Sequence, residues 1–257
     1  MPSRPQVAPC LLLLALLTSA ADCCAAPADE PPSPAKSGSY EKHEFTAKDG
    51  TKLYYWLLAP MEVKQGERYP LVLALHGRGG HTDAADVLAS DELRKKYPCF
   101  VMAPAVTRHG VWAVPGDFAK LAGRHMLPTA LEALEQLKAD LPIDSARVYV
   151  TGQSMGGFGT FGALAASPQT FAAAIPVCGG WTAADGAKMK DVPLWVFHGD
   201  ADTTVPIERS RVIVAAIKEA GGNPKFTEYP GVGHGSWTRT YASPETWDWL
   251  FAQKKSR

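Results

Sequence analysis

The sequence has no surplus of charge of either sign. Lys and Arg together number 26, as do Asp and Glu, so the formal net charge of the 257 residues is zero. Proteins that bind nucleic acids through long-range electrostatics usually carry a basic surplus, which is absent here. We therefore expect no nucleic-acid partner, and we look for a molecule that is held in a pocket.

The sequence offers little that suits a membrane span. The leucine-rich run near the N-terminus is too short to cross a membrane comfortably, and the small residues after it are typical of a secretory signal peptide. We predict a signal peptide over residues 1–26, cleaved after Ala21 or near Ala25, and a secreted or periplasmic protein without a stable membrane partner. An uncleaved anchor and a lipid-modified Cys23 or Cys24 are the alternatives.

Cysteine is scarce. The chain has 5 cysteines, and only Cys99 and Cys178 fall in the predicted folded domain at residues 40–257, which follows a disordered linker over residues 27–39. Both lie in apolar, strand-like runs, so we predict two separate buried thiols rather than a disulfide. No pair of cysteines has the spacing of metal ligands, and we expect neither a metal nor a cofactor.

Short apolar runs alternate with helical stretches through the rest of the chain. Five runs end in Gly, Pro or Asp, as buried parallel strands do: PLVLALHG, CFVMAP, RVYVTG, FAAAIPVCGG and PLWVFHGD. Helices are predicted over residues 83–96, 126–140, 156–166, 206–220 and 244–254. An antiparallel hairpin turning at Asp49 and Gly50 precedes them, and KFTEYP predicts an edge strand. We predict an α/β fold with a mostly parallel sheet of about eight strands and helices on both faces.

The segment GQSMGG carries the clearest chemical signal. It follows the strand RVYVT and opens a helix rich in small residues, FGTFGALAA. A sharp strand-to-helix turn of the form G-x-S-x-G lifts a serine clear of the sheet, and its glycines are needed because the backbone is crowded there. Ser154 is therefore the predicted nucleophile.

A serine hydroxyl needs a base, and the base needs an orienting carboxylate. His234 is the single histidine after Asp202, in the glycine-rich loop past the last strand, so it is the predicted base. Asp202 and Asp200 both follow the strand PLWVFHG. Spacing favours Asp202 as the acid, with Asp200 as a turn residue and His198 as a structural residue.

An oxyanion formed at Ser154 needs two backbone N–H donors. The residue after the nucleophile, Met155, supplies one, and the glycine-rich loop LHGRGGH supplies the other through the N–H of Arg78. A phosphate-binding role for this loop is the rival interpretation, but no Lys-Ser/Thr follows it and no Rossmann spacing is present.

These motifs resemble a known group of proteins. LHGRGG, VYVTGQSMGGFGTFGALAASP, FAAAIPVCGGW, LWVFHGDADTTVP and TEYPGVGHGSW are similar to secreted single-domain α/β-hydrolases described as predicted peptidases or prolyl-oligopeptidase-like carboxylesterases. That group is similar in turn to phospholipase/carboxylesterases, feruloyl and acetylxylan esterases and polyhydroxybutyrate depolymerases. The resemblance runs from about Tyr40 to Lys254. It implies an α/β-hydrolase fold and the same three residues: Ser154, Asp202 and His234.

Three tryptophans are expected near the catalytic edge. Trp112, Trp181 and Trp237 lie in loops after strands, where an indole face suits a sugar ring or a hydroxycinnamoyl group. The alternative is that these rings only pack the loops against the core. No long insertion separates the strands, so we expect an open cleft with at most a short cap between Ala105 and Arg124.

The sequence thus favours a secreted serine esterase that acts on a small-molecule or polymer-linked ester through an acyl-enzyme intermediate. A serine peptidase of the prolyl-oligopeptidase-like type is the alternative within enzymes. A catalytically silent, carbohydrate-binding homologue is the alternative from another class. The acyl group, the alcohol and the oligomeric state do not follow from the sequence.

Overall fold

The computed structural model describes Pro34 and residues 39–80, 82–107, 110–115 and 124–255. The predicted signal peptide lies outside the described residues, as do most of the linker and much of the predicted cap. Within the described part of the chain, no helix has both the length and the apolar character needed to cross a membrane.

An eight-stranded mixed sheet forms the centre of the domain, in the order β1-β2-β4-β3-β7-β8-β9-β10. The first two strands form the antiparallel hairpin, β2 also pairs antiparallel with β4, and the remaining neighbours are parallel. A separate parallel pair joins β5 to β6. The strands are β1 Glu41–Thr46, β2 Lys52–Leu58, β3 Tyr69–Leu75, β4 Phe100–Ala105, β5 Gly110–Val111, β6 Arg124–His125, β7 Ile143–Gln153, β8 Ala173–Val177, β9 Trp195–Gly199 and β10 Lys225–Tyr229.

Helices cover both faces of this sheet. They are α1 Asp83–Leu88, α2 Asp91–Lys96, α3 Leu127–Asp140, α4 Met155–Ala166, α5 Gly186–Met189, α6 Glu208–Glu219, α7 Ser236–Ala242 and α8 Pro244–Ala252. Along β3, Leu71 and Leu73 belong to the core under α3, α4 and α6, whereas Val72 belongs to the core under α1, α2, α7 and α8. Both faces of the central strands are therefore buried, which explains why their sequences read as continuous apolar runs.

The predicted fold class is confirmed, with differences in the helices. The single helix expected over residues 83–96 is divided at Ala89 and Ser90, because the Ser90 hydroxyl accepts a hydrogen bond from the Leu93 N–H and begins α2. The short helices α5 and α7 were not predicted. Cys99 and Cys178 are separate, buried thiols, as predicted.

Candidate active site

Ser154 occupies a strained turn between β7 and α4. Its backbone has φ 55° and ψ −117°, and a positive φ is costly for any residue with a Cβ. The Ser154 N–H donates to the carbonyl of Val177 at 3.0 Å and lies 3.2 Å from the sulfur of Cys178. These contacts with the end of β8 hold the turn in a conformation that its own dihedral preferences disfavour.

The two glycines that flank the turn are required for space. A Cβ at Gly152 would lie 2.5 Å from the carbonyl oxygen of Gly156, and a Cβ at Gly156 would lie 2.0 Å from that of Leu75. Real side chains do not tolerate such distances, so only glycine lets the start of α4 pack against the ends of β3 and β7. The steric reason given for the sequence motif therefore holds in the structure.

His234 lies between Ser154 and Asp202. Its Nε2 is 2.8 Å from the Ser154 hydroxyl oxygen, and its Nδ1 is 2.7 Å from Oδ2 of Asp202. Both distances are those of hydrogen bonds. The loop after β10 thus brings the histidine to residues 80 and 32 positions away in the sequence.

The carboxylate of Asp202 is buried and ionised. Burial by itself would raise its pKa, but hydrogen bonds from His234 and from the backbone N–H groups of Val205 and Thr204 outweigh burial and lower that pKa below the usual value. The two backbone N–H groups donate to Oδ1 at 2.9 and 2.8 Å. This leaves Oδ2 for the imidazole. Asp200, the rejected candidate, accepts the Gly231 N–H at 2.7 Å and fixes the neighbouring turn.

The loop after β3 presents the second expected oxyanion donor. Nδ1 of the buried His76 donates to the carbonyl of Gly77 at 2.6 Å, and the Gly80 N–H donates to the same oxygen at 2.9 Å. Because the peptide between Gly77 and Arg78 is planar and trans, the Arg78 N–H points the opposite way from that carbonyl. Arg78 and Met155 both line the cleft that contains Ser154.

The His76 ring is held in one neutral form. Its Nε2 accepts the Val106 N–H at 2.9 Å, so the proton lies on Nδ1. Burial lowers the pKa of His76 to about 4, which keeps the ring uncharged at neutral pH. The ring therefore supports the loop without adding charge to the site.

A cleft of about 720 Å³ opens above Ser154. One part of its wall is apolar and includes Val111, Val114, Pro115, Phe158, Val205 and Trp237. Another part is polar and includes Asp83, Asp86 and Arg78. This volume and wall composition suit an organic ligand with a bulky apolar part.

The three tryptophans that were predicted near the substrate differ in their position relative to the cleft. Trp237 lines the cleft, and its ring meets that of His234 edge to face at 5.3 Å between centroids. Trp112 is fully buried and its indole N–H donates to the His76 carbonyl at 2.9 Å, so the prediction that it contacts substrate is wrong. Trp181 is half-buried, donates to Asp185 at 2.8 Å and packs against the core beside α4 rather than lining the described cleft.

Two contacts at the site were not foreseen. The sulfur of Cys178, on a residue with φ 40°, supports the Ser154 N–H, whereas only a buried thiol was predicted there. His198 lies 3.2 Å from the carboxylate of Asp202. Both residues follow or end an apolar strand at the same edge of the sheet, which is the one signal that could have pointed to them.

A metal-ligand geometry is also present among the described residues. One ligand atom each of Cys178, Asp202 and His234 lies within 4.8 Å of the others. The imidazole and the carboxylate are hydrogen-bonded to each other and the thiol lies against the Ser154 N–H. The same two atoms of the imidazole and the carboxylate are therefore already engaged with each other.

The strained serine turn at the carboxyl edge of a mixed sheet, with an aspartate and a histidine following in chain order, defines an α/β-hydrolase. The chain belongs to the dienelactone hydrolase family, whose model matches residues 113–246, a span that includes Ser154, Asp202 and His234. Proteins named as esterases are among its relatives and among the solved structures that it resembles, and the chain spans about a third of the first relative and less than two thirds of the first solved structure.

The chain is also similar to individual proteins. The chain is 26% identical over 240 residues to "Uncharacterized peptidase YuxL" of Bacillus subtilis (strain 168), covering 76% of this chain but only 35% of the relative. It is 24% identical to "Probable feruloyl esterase C" of Aspergillus niger, covering 72% of this chain and 68% of the relative. A solved structure of a thermostable esterase has a TM-score of 0.79 and 34% identity, over 85% of this chain and 64% of that one.

Proposed function

We propose that the protein is a serine esterase that cleaves carboxylic esters through an acyl-enzyme intermediate. The observation that carries this proposal is the continuous path of hydrogen bonds from the Ser154 hydroxyl through His234 to Asp202. No other side chain is needed to take up the hydroxyl proton, because the Nε2 atom of His234 already lies within hydrogen-bond distance of it.

The first half-reaction forms the acyl-enzyme. Ser154 attacks the ester carbonyl as His234 takes its proton, and the buried Asp202 carboxylate stabilises the resulting imidazolium. The backbone N–H groups of Met155 and Arg78 hold the oxyanion, and the first of these lies at the N-terminus of α4, where the helix dipole favours negative charge. His234 then returns the proton to the leaving alcohol, and water repeats the sequence on the acyl group.

The walls of the cleft favour a substrate with a bulky apolar part. Trp237 lies against His234 and offers a ring face or edge beside the leaving group. A hydroxycinnamoyl ester, or an ester on a polysaccharide, fits that chemistry, and a feruloyl esterase is among the relatives. The signal peptide expected over residues 1–26 favours an exported enzyme that would meet such polymers; the N-terminal residue of the mature protein, read by mass spectrometry, tests the export.

The test is hydrolysis of a p-nitrophenyl short-chain ester by the Ser154→Ala variant. We expect kcat to fall by about 10⁴-fold or more, the scale seen when a triad is removed. A fluorophosphonate probe should label the parent protein and leave the variant unlabelled. Turnover that survives in the variant would disprove the mechanism, and a folded parent that resists the probe would favour a silent carbohydrate-binding homologue.

A peptidase is the second candidate, because one relative is named as an uncharacterised peptidase. An amide has a much poorer leaving group than an ester, so the same site must protonate it before the bond breaks. Matched acetyl, feruloyl and long-chain esters, free and on xylan, should be compared with peptide amides of the same acyl groups. We expect turnover of the esters to exceed that of the amides, and the reverse order would favour the peptidase.

A further inference from the structure

Two histidines lie against the carboxylate of Asp202. Its Oδ2 atom lies 2.7 Å from Nδ1 of His234 and 3.2 Å from Nε2 of His198. The side chains of His198 and Asp202 are both fully buried, so water does not compete for either. The mechanism proposed above uses only the first histidine.

The contacts of His198 fix which atom faces the carboxylate. Nε2 lies 2.8 Å from the carbonyl of Val205 as well as near Asp202, and both of these oxygens are acceptors. Nε2 must therefore carry a proton, because a lone pair there would face two negative oxygens. Nδ1 is held by the hydroxyl of Ser210 at 2.8 Å.

Ser210 connects His198 to the part of the site that surrounds the Ser154 turn. Its hydroxyl is 2.9 Å from the carbonyl of Gly179, which follows Cys178, and the sulfur of Cys178 lies against the Ser154 N–H. Contacts through His198 and Ser210 thus link the loop after β9, which carries the acid, to the end of β8, which supports the serine turn.

Resting on the proposed function, we propose that His198 is a positioning residue of this active site. Its Nε2–H holds the Asp202 oxygen that orients His234 and takes up part of the hydrogen-bonding capacity of that oxygen. A carboxylate shared between two imidazoles attracts a proton on either one less strongly than a carboxylate devoted to one. His198 therefore tunes the basicity of His234 without touching the substrate.

The direction of the expected effect follows from charge. Without the His198 N–H, the whole of Oδ2 would serve His234 and stabilise its imidazolium more strongly. The base must be neutral to accept the serine proton, so activity would then be lost at a higher pH on the acid side.

Other titratable and charged groups face this part of the site from neighbouring elements. They are Cys178 after β8, Glu228 of β10, Arg78 after β3, and Asp83 and Asp86 of α1. Burial raises the pKa of the Cys178 thiol to about 12, so it stays neutral, and Glu228 is paired with Arg211. All of them remain in the variants described next, so their contribution cancels in the comparison.

The experiment measures kcat/KM for p-nitrophenyl butyrate against pH in three variants. His198→Phe keeps the shape of the ring and removes both nitrogens, whereas His198→Gln places an amide N–H where Nε2 stood. His43→Phe, on the edge strand β1, is the control for loss of a histidine. Rates are normalised to centres titrated with a fluorophosphonate, so that only folded molecules count.

We expect the acid limb of the profile to move up by about 0.5 to 1 pH unit in His198→Phe. The limb should stay near that of the parent in His198→Gln and in the control. An unmoved limb in His198→Phe, or equal shifts with Phe and Gln, would overturn the inference and leave His198 a packing residue.

A second variant covers the case in which His198→Phe does not fold. Ser210→Ala keeps both histidines and removes the partner of Nδ1, so a smaller upward shift is expected and its absence would overturn the inference. Residual activity in Ser154→Ala would defeat the serine mechanism itself. A parent-like pH profile for the His198 variants, with Ser154→Ala inactive, would defeat only the role of His198.

Discussion

Two His-Gly pairs stand at the ends of β3 and β9, and the chain uses them in different ways. His76 and Gly77 open the loop that contains Arg78, whereas His198 and Gly199 open the loop that carries Asp202, the proposed acid. Both rings are buried. His76 meets a carbonyl on one nitrogen and an N–H on the other, whereas His198 meets a carboxylate.

The glycines differ as well. A Cβ at Gly77 would come no closer than 3.4 Å to its neighbours, but a Cβ at Gly199 would lie 2.1 Å from the carbonyl of Val232. Val232 belongs to the loop that carries His234. The second pair therefore packs tightly between the loops that carry Asp202 and His234, whereas a Cβ at Gly77 would make only ordinary van der Waals contacts. The comparison shows that one short motif can orient a peptide in one place and join two loops in another.

The largest effect on activity should come from the Asp202 carboxylate, which only the loop after β9 carries. Asp202→Asn keeps the shape of the side chain but removes the charge that stabilises the imidazolium, so kcat/KM should fall by about 10⁴-fold. Ester hydrolysis at pH 8 measures it. Asp200→Asn is the matched control and should retain activity within a few-fold; a comparable loss there would reverse the assignment of the acid.

The next effect separates the two glycines. Gly199→Ala should lower the free energy of unfolding by about 1–3 kcal/mol, because the new methyl group overlaps the Val232 carbonyl. It should also lower kcat, since Val232 leads into the loop of His234. Gly77→Ala should unfold at a urea concentration close to that of the parent protein. Equal destabilisation of the two variants would show that the packing difference has no energetic weight.

The smallest effect tests the histidine of the first loop. His76→Leu removes the N–H that holds the Gly77 carbonyl, so the oxyanion donor is less well aimed and kcat should fall by about 10-fold, less than for loss of a donor outright. His76→Asn, which keeps an N–H near Nδ1, should lose less. Neither should move the acid limb between pH 5.5 and 9, because the pKa of His76 is about 4. A shifted limb would contradict the distinction between the two histidines.

Local patterns in the sequence predicted much of this arrangement. The run of apolar residues before GQSMGG and the small residues after it predicted the turn at Ser154. Strands, turns and helices each have a characteristic hydrophobic period or residue composition, which can be recognised in the sequence. The strand PLWVFHGD placed Asp202 at the edge of the sheet by the same reasoning. Both of these predictions rest on residues whose neighbours in sequence are also their neighbours in space.

Contacts between distant loops could not be predicted in this way. The sulfur of Cys178 meets the Ser154 N–H across 24 positions, and the Trp112 indole meets the His76 carbonyl across 36. A buried cysteine and a loop tryptophan look the same in sequence whether they pack, support a turn or touch a ligand. The register of the strands decides which of these three roles the residue has, and a single sequence does not reveal that register.

The left-handed backbone of Ser154 has a consequence for engineering. The Ser154 hydroxyl owes its position to the strand and helix on either side and to the neighbouring strand end beneath it, so the proposed nucleophile is in place before any ligand binds. Engineering for new esters should therefore change the residues that line the cleft and leave the turn at Ser154 unchanged.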